Sequence, residues 1–400
     1  MWALQKTSPS LELPVPPVVS RDRSVDANAS RTLHILGTDA KARFLAFELQ
    51  PLYDSVHLLK PTRNKIVDLE FNPNHGRTGS RRGLRRDEER DEQGTDRATL
   101  SEGHISNLVT TGPAVDCVKQ MQKLKHRIDS ETTLCLVHDG LGVAEELSET
   151  VFGGTGAAEP EYVLGHLASD RFRRNRNTST FNKPSASSPE KGEVHMLPEL
   201  KTRLVPIDPK SSRPPKESPL AADLISSFKT SLHLNAQLTP FHKWLHVKFQ
   251  AMIFTAVVDP VCVVVGCRYD EVTQIKWGMS LIMMLLDEIQ DVVAALPEVE
   301  HSPLIRNMVE RESLRKVCLA KLRSMKPTPS RMAAVLAQGR NVDIDSFNGY
   351  FIRRGKQLGV PCPNNEMVVA MIKAKHGMRL KQLEESIPFE ITSRPHRDLY

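Results

Sequence analysis

Gly339-Arg340-Asn341-Val342-Asp343-Ile344-Asp345-Ser346-Phe347-Asn348-Gly349-Tyr350, followed by Gly355-Lys356-Gln357-Leu358-Gly359-Val360-Pro361, is the stretch on which the reading of this chain turns. Two acids two residues apart precede Asn348-Gly349. The helix that follows must stop near Gly359 and Pro361, because glycine accepts a left-handed cap and proline cannot continue the hydrogen-bond ladder. The chain around it reads as helical from Leu220 onward. Leu238-Thr239-Pro240 opens a helix through Trp244, Val247, Met252 and Phe254, expected to break at Asp259-Pro260. Further apolar-faced helices are expected over 271–296, 311–326, 331–338, 343–358 and 365–375.

The first half has a different texture. Leu33-His34-Ile35-Leu36-Gly37 reads as a short buried strand running into a helix over 38–49 that places Phe44 and Phe47 on one face. A second strand, Val56 to Leu59, ends at Lys60, with Arg63 close behind. Strands over 105–111 and 133–137 flank a helix over 115–127, and that alternation predicts a parallel sheet. Residues 194–207 supply closing strands, and 208–219, rich in Pro, Ser and Lys, is the expected linker.

Composition narrows the classes. Four hundred residues with 40% apolar content can bury two cores. The longest apolar runs are interrupted at Asp259-Pro260 and fall short of the ~20 residues a membrane span needs, so no membrane partner is expected. The six cysteines form no C-x-x-C pair, which predicts buried free thiols in a reducing compartment. A formal charge of +6 spread along the chain, with 5% aromatic residues, licenses only weak attraction to polyanions. The most basic local run, Arg171 to Arg176, is the place where RNA would bind if it binds at all. Gly153-Gly154-Thr155-Gly156 lacks the Lys-Ser or Lys-Thr of a phosphate loop and reads as a plain loop. The leader 1–30, the charged segment 72–103, the polar segment 171–192 and the tail 381–400 carry no core-forming periodicity and are expected to be disordered or solvated.

The 339–361 stretch resembles the C-terminal signature of the ketopantoate reductase (2-dehydropantoate 2-reductase) family, written G-R-x-T-E-I-D-x-I-N-G-Y and then G-x-x-x-G-I-P. The resemblance implies an α/β plus all-α architecture. A Rossmann-like dinucleotide-binding domain over 31–207 would be followed by a helical domain over 220–380, of the 6-phosphogluconate dehydrogenase C-terminal type. It also implies NADP(H) as cofactor and reduction of a 2-oxoacid such as 2-dehydropantoate in pantothenate biosynthesis; a soluble protein of the cytoplasm or, alternatively, the mitochondrion is expected.

The implied site residues are altered. Of the pyrophosphate-binding G-x-G-x-x-G, Gly37 is present, Asp39 stands at the second glycine and Ala42 at the third. A carboxylate ~4 Å from a phosphate at an effective dielectric of ~20 costs about 4 kcal/mol, roughly three powers of ten in affinity. Lys60 and Arg63 suit a 2′-phosphate better than an NAD ribose. Gly112 stands where the family has a lysine near the cofactor. Asp139, in His138-Asp139-Gly140-Leu141-Gly142, replaces the Asn of Q-N-G-x-G, and repulsion of substrate is expected there.

On the first long helix of the second domain, registration on Asp259-Pro260 puts Ala251 at the family's general-acid lysine and Thr255 and Asp259 at its two asparagines. Lys248, and after it His246, are the nearest substitutes, each otherwise read as a rim residue of an amphipathic helix. Asp343 takes the place of the substrate-binding Glu, and Arg331 that of a substrate-binding Ser. Three readings follow: a catalytically impaired reductase-like protein serving a protein partner in binding or assembly, an active NADPH-dependent reductase using Lys248 and Asp343, and a polyanion-binding protein. No metal site is expected.

Overall fold

The computed structural model describes residues 31–62, 65–71, 103–153, 159–167, 201–210, 219–300 and 302–385. The leader, the charged segment at 72–102, the basic run 171–176, Arg63, Gly154 to Gly156 and residues 211–218 lie outside the described residues.

Strands β1 (Thr32–Leu36), β2 (Ser55–Pro61), β3 (Ile66–Glu70), β4 (Asn107–Thr110), β5 (Thr133–Leu136), β6 (Glu161–Leu167), β7 (Thr202–Ile207) and β8 (Ala236–Leu238) form one sheet, ordered β3-β2-β1-β4-β5-β6-β7-β8. The run from β2 to β6 is parallel, while β3 and β7 pair antiparallel with β2 and β6. Alternation along each strand feeds two cores. Leu33, Ile35, Val109 and Cys135 face α1 (Ala40–Leu49), whereas Leu36, Leu108 and Leu134 face α2 (Ala114–Leu124) and α3 (Val143–Leu147).

The boundary expected at residue 220 moves. Helix α4 (Pro219–Thr230) buries Ala221, Leu224 and Phe228 on the α1 face of the sheet, and β8 extends β7 with Thr202 opposite Ala236. Residues 219–238 therefore complete the sheet domain. The sequence pattern there is helical, which says nothing about which domain the helix covers.

The second domain is built on α5 (Phe241–Val265). Around it lie α6 (Tyr269–Val272), α7 (Lys276–Ala295), α8 (Pro297–Glu300), α9 (Pro303–Met308), α10 (Arg311–Arg323), α11 (Arg331–Ala337), α12 (Asn348–Leu358) and α13 (Pro363–Glu385). By length and composition α5 could cross a membrane, unlike the interrupted runs read from the sequence, but most of it is buried inside the protein, as in a core helix.

The expected break at Asp259-Pro260 does not occur. Pro260 sits inside α5 and the helix runs to Val265. A proline has no N–H for the carbonyl four residues back, here that of Ala256. That carbonyl accepts instead from Asn348 Nδ2 at 2.8 Å, and the same amide donates to Asn365 Oδ1 at 2.9 Å. Asn365 Nδ2 in turn donates to Glu288 Oε2 at 2.7 Å. At the C-terminus Gly266 takes φ +77, Gly266 and Cys267 both donate to the Cys262 carbonyl, and Lys375 Nζ donates to the carbonyls of Val263 and Val264. The Asn-Gly of the diagnostic stretch is thus a fastener tying α12, α13 and α7 to a proline-interrupted α5.

Asn348→Ala leaves the Ala256 carbonyl buried without a donor, so it should cost ~1–3 kcal/mol in urea unfolding. In a Pro260→Ala background, where residue 260 regains an N–H, the same change should cost less, and equal costs in the two backgrounds would refute the coupling.

Candidate functional site in the interdomain cleft

The turn after β1 would hold a dinucleotide phosphate in a Rossmann fold, because backbone N–H groups of the helix start there. Gly37 has φ +151, and a Cβ there would lie 2.3 Å from Thr111 Oγ1, so only glycine fits. Asp39 is the N-cap of α1: its Oδ1 accepts from Ala42 N at 2.9 Å and from Thr111 Oγ1 at 2.7 Å. The carboxylate thereby occupies the anion position at the helix start. Ala42 is fully buried and Lys60, at the end of β2, is exposed. These residues do not fit a pyrophosphate bound in the Rossmann manner, since one of the helix-start donors already serves the protein's own acid.

Asp139 lies at the cleft side of the loop after β5. Lys41 Nζ, buried in the first turn of α1, is 2.5 Å from its Oδ1, and Arg331 Nη2, from α11 of the other domain, is 2.8 Å from its Oδ2. Burial alone would raise the Asp139 carboxyl, but Lys41, Arg331 and Lys248 hold it well below the usual range. The repulsive anion expected from the sequence is thus an internal counter-ion between domains. The missing signal was Lys41, a cation in the first turn of a helix, where the dipole disfavours it unless an acid is near.

Asp343 accepts from Ala114 N at 3.0 Å, capping α2, whose own N-cap Pro113 offers no side-chain bond. Its carboxyl is pushed up to about 6, chiefly by burial, and the Ala114 bond opposes the rise. Asp259 accepts from Tyr269 Oη at 2.7 Å and from Met332 N at 3.4 Å, and so tethers the start of α11. Burial pushes it up to about 6 as well. Thr255 Oγ1 donates to the Ala251 carbonyl at 3.3 Å along its own helix. Gly112, with φ +84, uses its carbonyl on His138 Nδ1 at 2.9 Å. That bond makes Nδ1 the protonated nitrogen, so Nε2 accepts from Thr110 Oγ1 at 2.8 Å.

Lys248 is the main departure from the rim residue read in the sequence. It is 1% exposed, and its ammonium donates to the His138 carbonyl. Burial pulls it down to about 7, with Asp139 opposing and Lys41 adding to the fall. His166, on β6 and unnoticed in the sequence, shares these neighbours and is pulled to about 3 by burial. His246 is only partly buried and its pKa falls through burial. The structure therefore gathers Lys41, Asp139, Lys248, Arg331 and Asp343 at one interface, leaves Lys60 outside it, and gives Thr255 and Asp259 structural duties.

Where the two domains meet, the contact is tight. Leu141 N donates to the Ser346 carbonyl at 3.0 Å, and a Cβ on Gly140 would fall 2.4 Å from Ser346 Oγ.

Comparison with known proteins agrees with this architecture. Residues 243–376 match the family model described as ketopantoate reductase PanE/ApbA C terminal. A Schizosaccharomyces pombe protein named "Probable 2-dehydropantoate 2-reductase" is 20% identical over 363 residues, 87% of this chain and 97% of that protein. The Saccharomyces cerevisiae cytochrome B translational activator CBS2 is 22% identical over 160 residues, 40% of this chain and 39% of that protein. Among solved structures, D-mandelate dehydrogenase with NADH and anilino(oxo)acetate superposes with TM-score 0.54 at 13% identity, covering 87% of this chain and 99% of the other. A 2-dehydropantoate 2-reductase from Methylococcus capsulatus gives 0.52 at 13%, covering 90% and 99%.

The Lys248 amine is neutralised far below an ordinary lysine, so the unfolded chain binds more protons than the folded one between pH 7 and 10.5. Stability should therefore rise with pH across that window, by an amount on the order of a few kcal/mol. Lys248→Met should flatten the rise; a slope that survives the substitution would show that another group carries it.

Proposed function

We propose that this chain, a divergent member of the ketopantoate reductase family, is a catalytically impaired reductase scaffold that serves in binding or assembly. The observation that carries this reading is the fate of three anion-related positions. Asp39 fills the dinucleotide phosphate position at the start of α1, Asp343 is turned onto the start of α2, and Asp139 is clamped by Lys41 and Arg331. An incoming cofactor phosphate or substrate carboxylate would have to displace a hydrogen-bonded carboxylate at each. The general-acid register falls on Ala251, which cannot donate a proton. The resemblance to a protein named as a translational activator supports a role outside redox chemistry and points to the machinery of translation as the class of partner.

The alternative is a working NADP-dependent 2-oxoacid reductase. The buried amine of Lys248, with a pKa near 7, favours it, since a general acid works best when it titrates near the operating pH.

Titration of NADPH against the full chain, followed by thermal shift, separates the two. No saturable stabilisation and no NADPH consumption with ketopantoate are expected of the native protein. Asp39→Gly with Asp139→Asn should tighten NADPH binding by roughly two to three powers of ten, the worth of removing one close like-charge contact. Micromolar affinity in the native chain, or steady oxidation of NADPH with ketopantoate, would establish the reductase instead.

A further inference from the structure

Helix α13 is apolar on two opposite sides. One side, through Val368 and Ile372, is buried in the core of the second domain. The other carries Met367, Ala370, Met371, Ala374, Gly377 and Met378, all of them exposed, with Met378 64% exposed. At ~100° per residue these fall on one outward stripe about three turns long, and no charged residue interrupts it. A surface helix ordinarily turns charged and polar residues to water, and methionine is the residue most used where an apolar surface meets a partner. Gly377 adds a second observation. A Cβ there would meet nothing within 4 Å, so among the described residues no neighbour requires a glycine. Glycine inside a helix is destabilising relative to alanine, and its use at an open position suits the close approach of a backbone from outside the chain.

The elements beside the stripe say where a partner would rest. On the Met371 side, Glu288 of α7 accepts from Asn364 Nδ2 at 2.6 Å. Trp277 and Met284, 76% and 45% exposed, lie on the same face of α7 as Glu288. On the opposite side, Glu366 pairs with Lys356 at 2.9 Å and Lys373 with Asp345 at 2.8 Å.

We propose that this stripe is the two-fold contact of a homodimer, in which α13 packs antiparallel against α13 of a second copy about an axis at Ala374. The stripe is complementary to itself in both size and charge. In that register Met371 of each copy meets Gly377 of the other, and Met378 meets Ala370, so each large side chain is received by a small one. Glu366 lies about 12 Å before Ala374 along the helix and Lys381 about 10.5 Å after it, so each Glu366 comes to the Lys381 of the other copy. Both side chains are exposed and free to turn toward a partner. Parallel packing would instead set like charge beside like charge. A closed dimer needs such reciprocity, residue i meeting j while j meets i. A stable interface buries ~1,200 Å2 or more, and Trp277 and Met284 supply apolar surface next to the helix pair.

The test is sedimentation of the full chain over a concentration series. A monomer–dimer equilibrium is expected. Ala374→Glu, which brings two carboxylates together at the axis, should weaken association at least about tenfold and leave the circular dichroism spectrum unchanged, since the residue is exposed. Glu366→Lys and Lys381→Glu should each weaken it roughly threefold to tenfold, and the two together should restore it, because the pairs are then reversed and complementary again. Dimers indifferent to Ala374→Glu, or a double charge reversal no better than either single one, would overturn the proposal. So would a single-chain mass at every concentration, and if deletion of residues 386–400 then produced dimers, the stripe would belong to the chain's own C-terminal segment. No cofactor enters the measurement, so its failure is distinct from failure of the impaired-reductase reading.

Discussion

One hydrogen bond joins the helices of the second domain at their weakest point. Pro260 lies in the longest helix and takes away the N–H that the Ala256 carbonyl would use, and Asn348 supplies the replacement from 92 residues away. Without it, the Ala256 carbonyl would be buried without a donor in the middle of the helix along which Phe249 to Val263 share one core. Because Asn348 also bonds Asn365, and Asn365 bonds Glu288, a local defect in one helix becomes the joint at which four helices meet. The motif that is most recognisable in the sequence is therefore a structural device first, and its survival says that the fold is intact without saying that chemistry is.

Several positions to which the resemblance assigns chemistry carry acids that bond within the fold. Asp259 and Asp343, both pushed up to about 6 by burial, each hold the start of a helix, and Asp39 does the same for α1. A carboxylate is the natural cap for a helix start, because it accepts from the N–H groups that have no partner within the helix. Each such contact holds its helix start against the rest of the fold. The Lys41–Asp139–Arg331 chain goes further, since it crosses the cleft and ties the two domains together.

Much of this was legible in the sequence. The strand-glycine-helix of 33–49, the strands at β4 and β5 and the helical second half all follow from periodicity. What was not legible depended on contacts distant in sequence. Asp259-Pro260 reads as a break by every local rule, and the remote Asn348 supplies the donor that the proline removes. The α4 helix gives no local sign that it covers the sheet, because amphipathic helices look alike whichever domain they face. Asp139 looked like a repelling charge because Lys41 and Arg331, which neutralise it, lie 98 and 192 residues away.

Lys248 is the sharpest case, and helix geometry explains why it is no like-for-like substitute for a lysine at 251. Side chains on a helix lean toward its N-terminus, and a step back of three residues moves the attachment point about 4.5 Å along the axis and about 60° around it. Both shifts carry the amine away from the line of Thr255 and Asp259 and toward Trp244 and the His138 carbonyl, where it is found. An amine so placed joins α5 to the loop after β5, where the two domains meet. Burying it costs free energy, because the charged form loses its hydration and only Asp139 and Asp343 compensate from a distance.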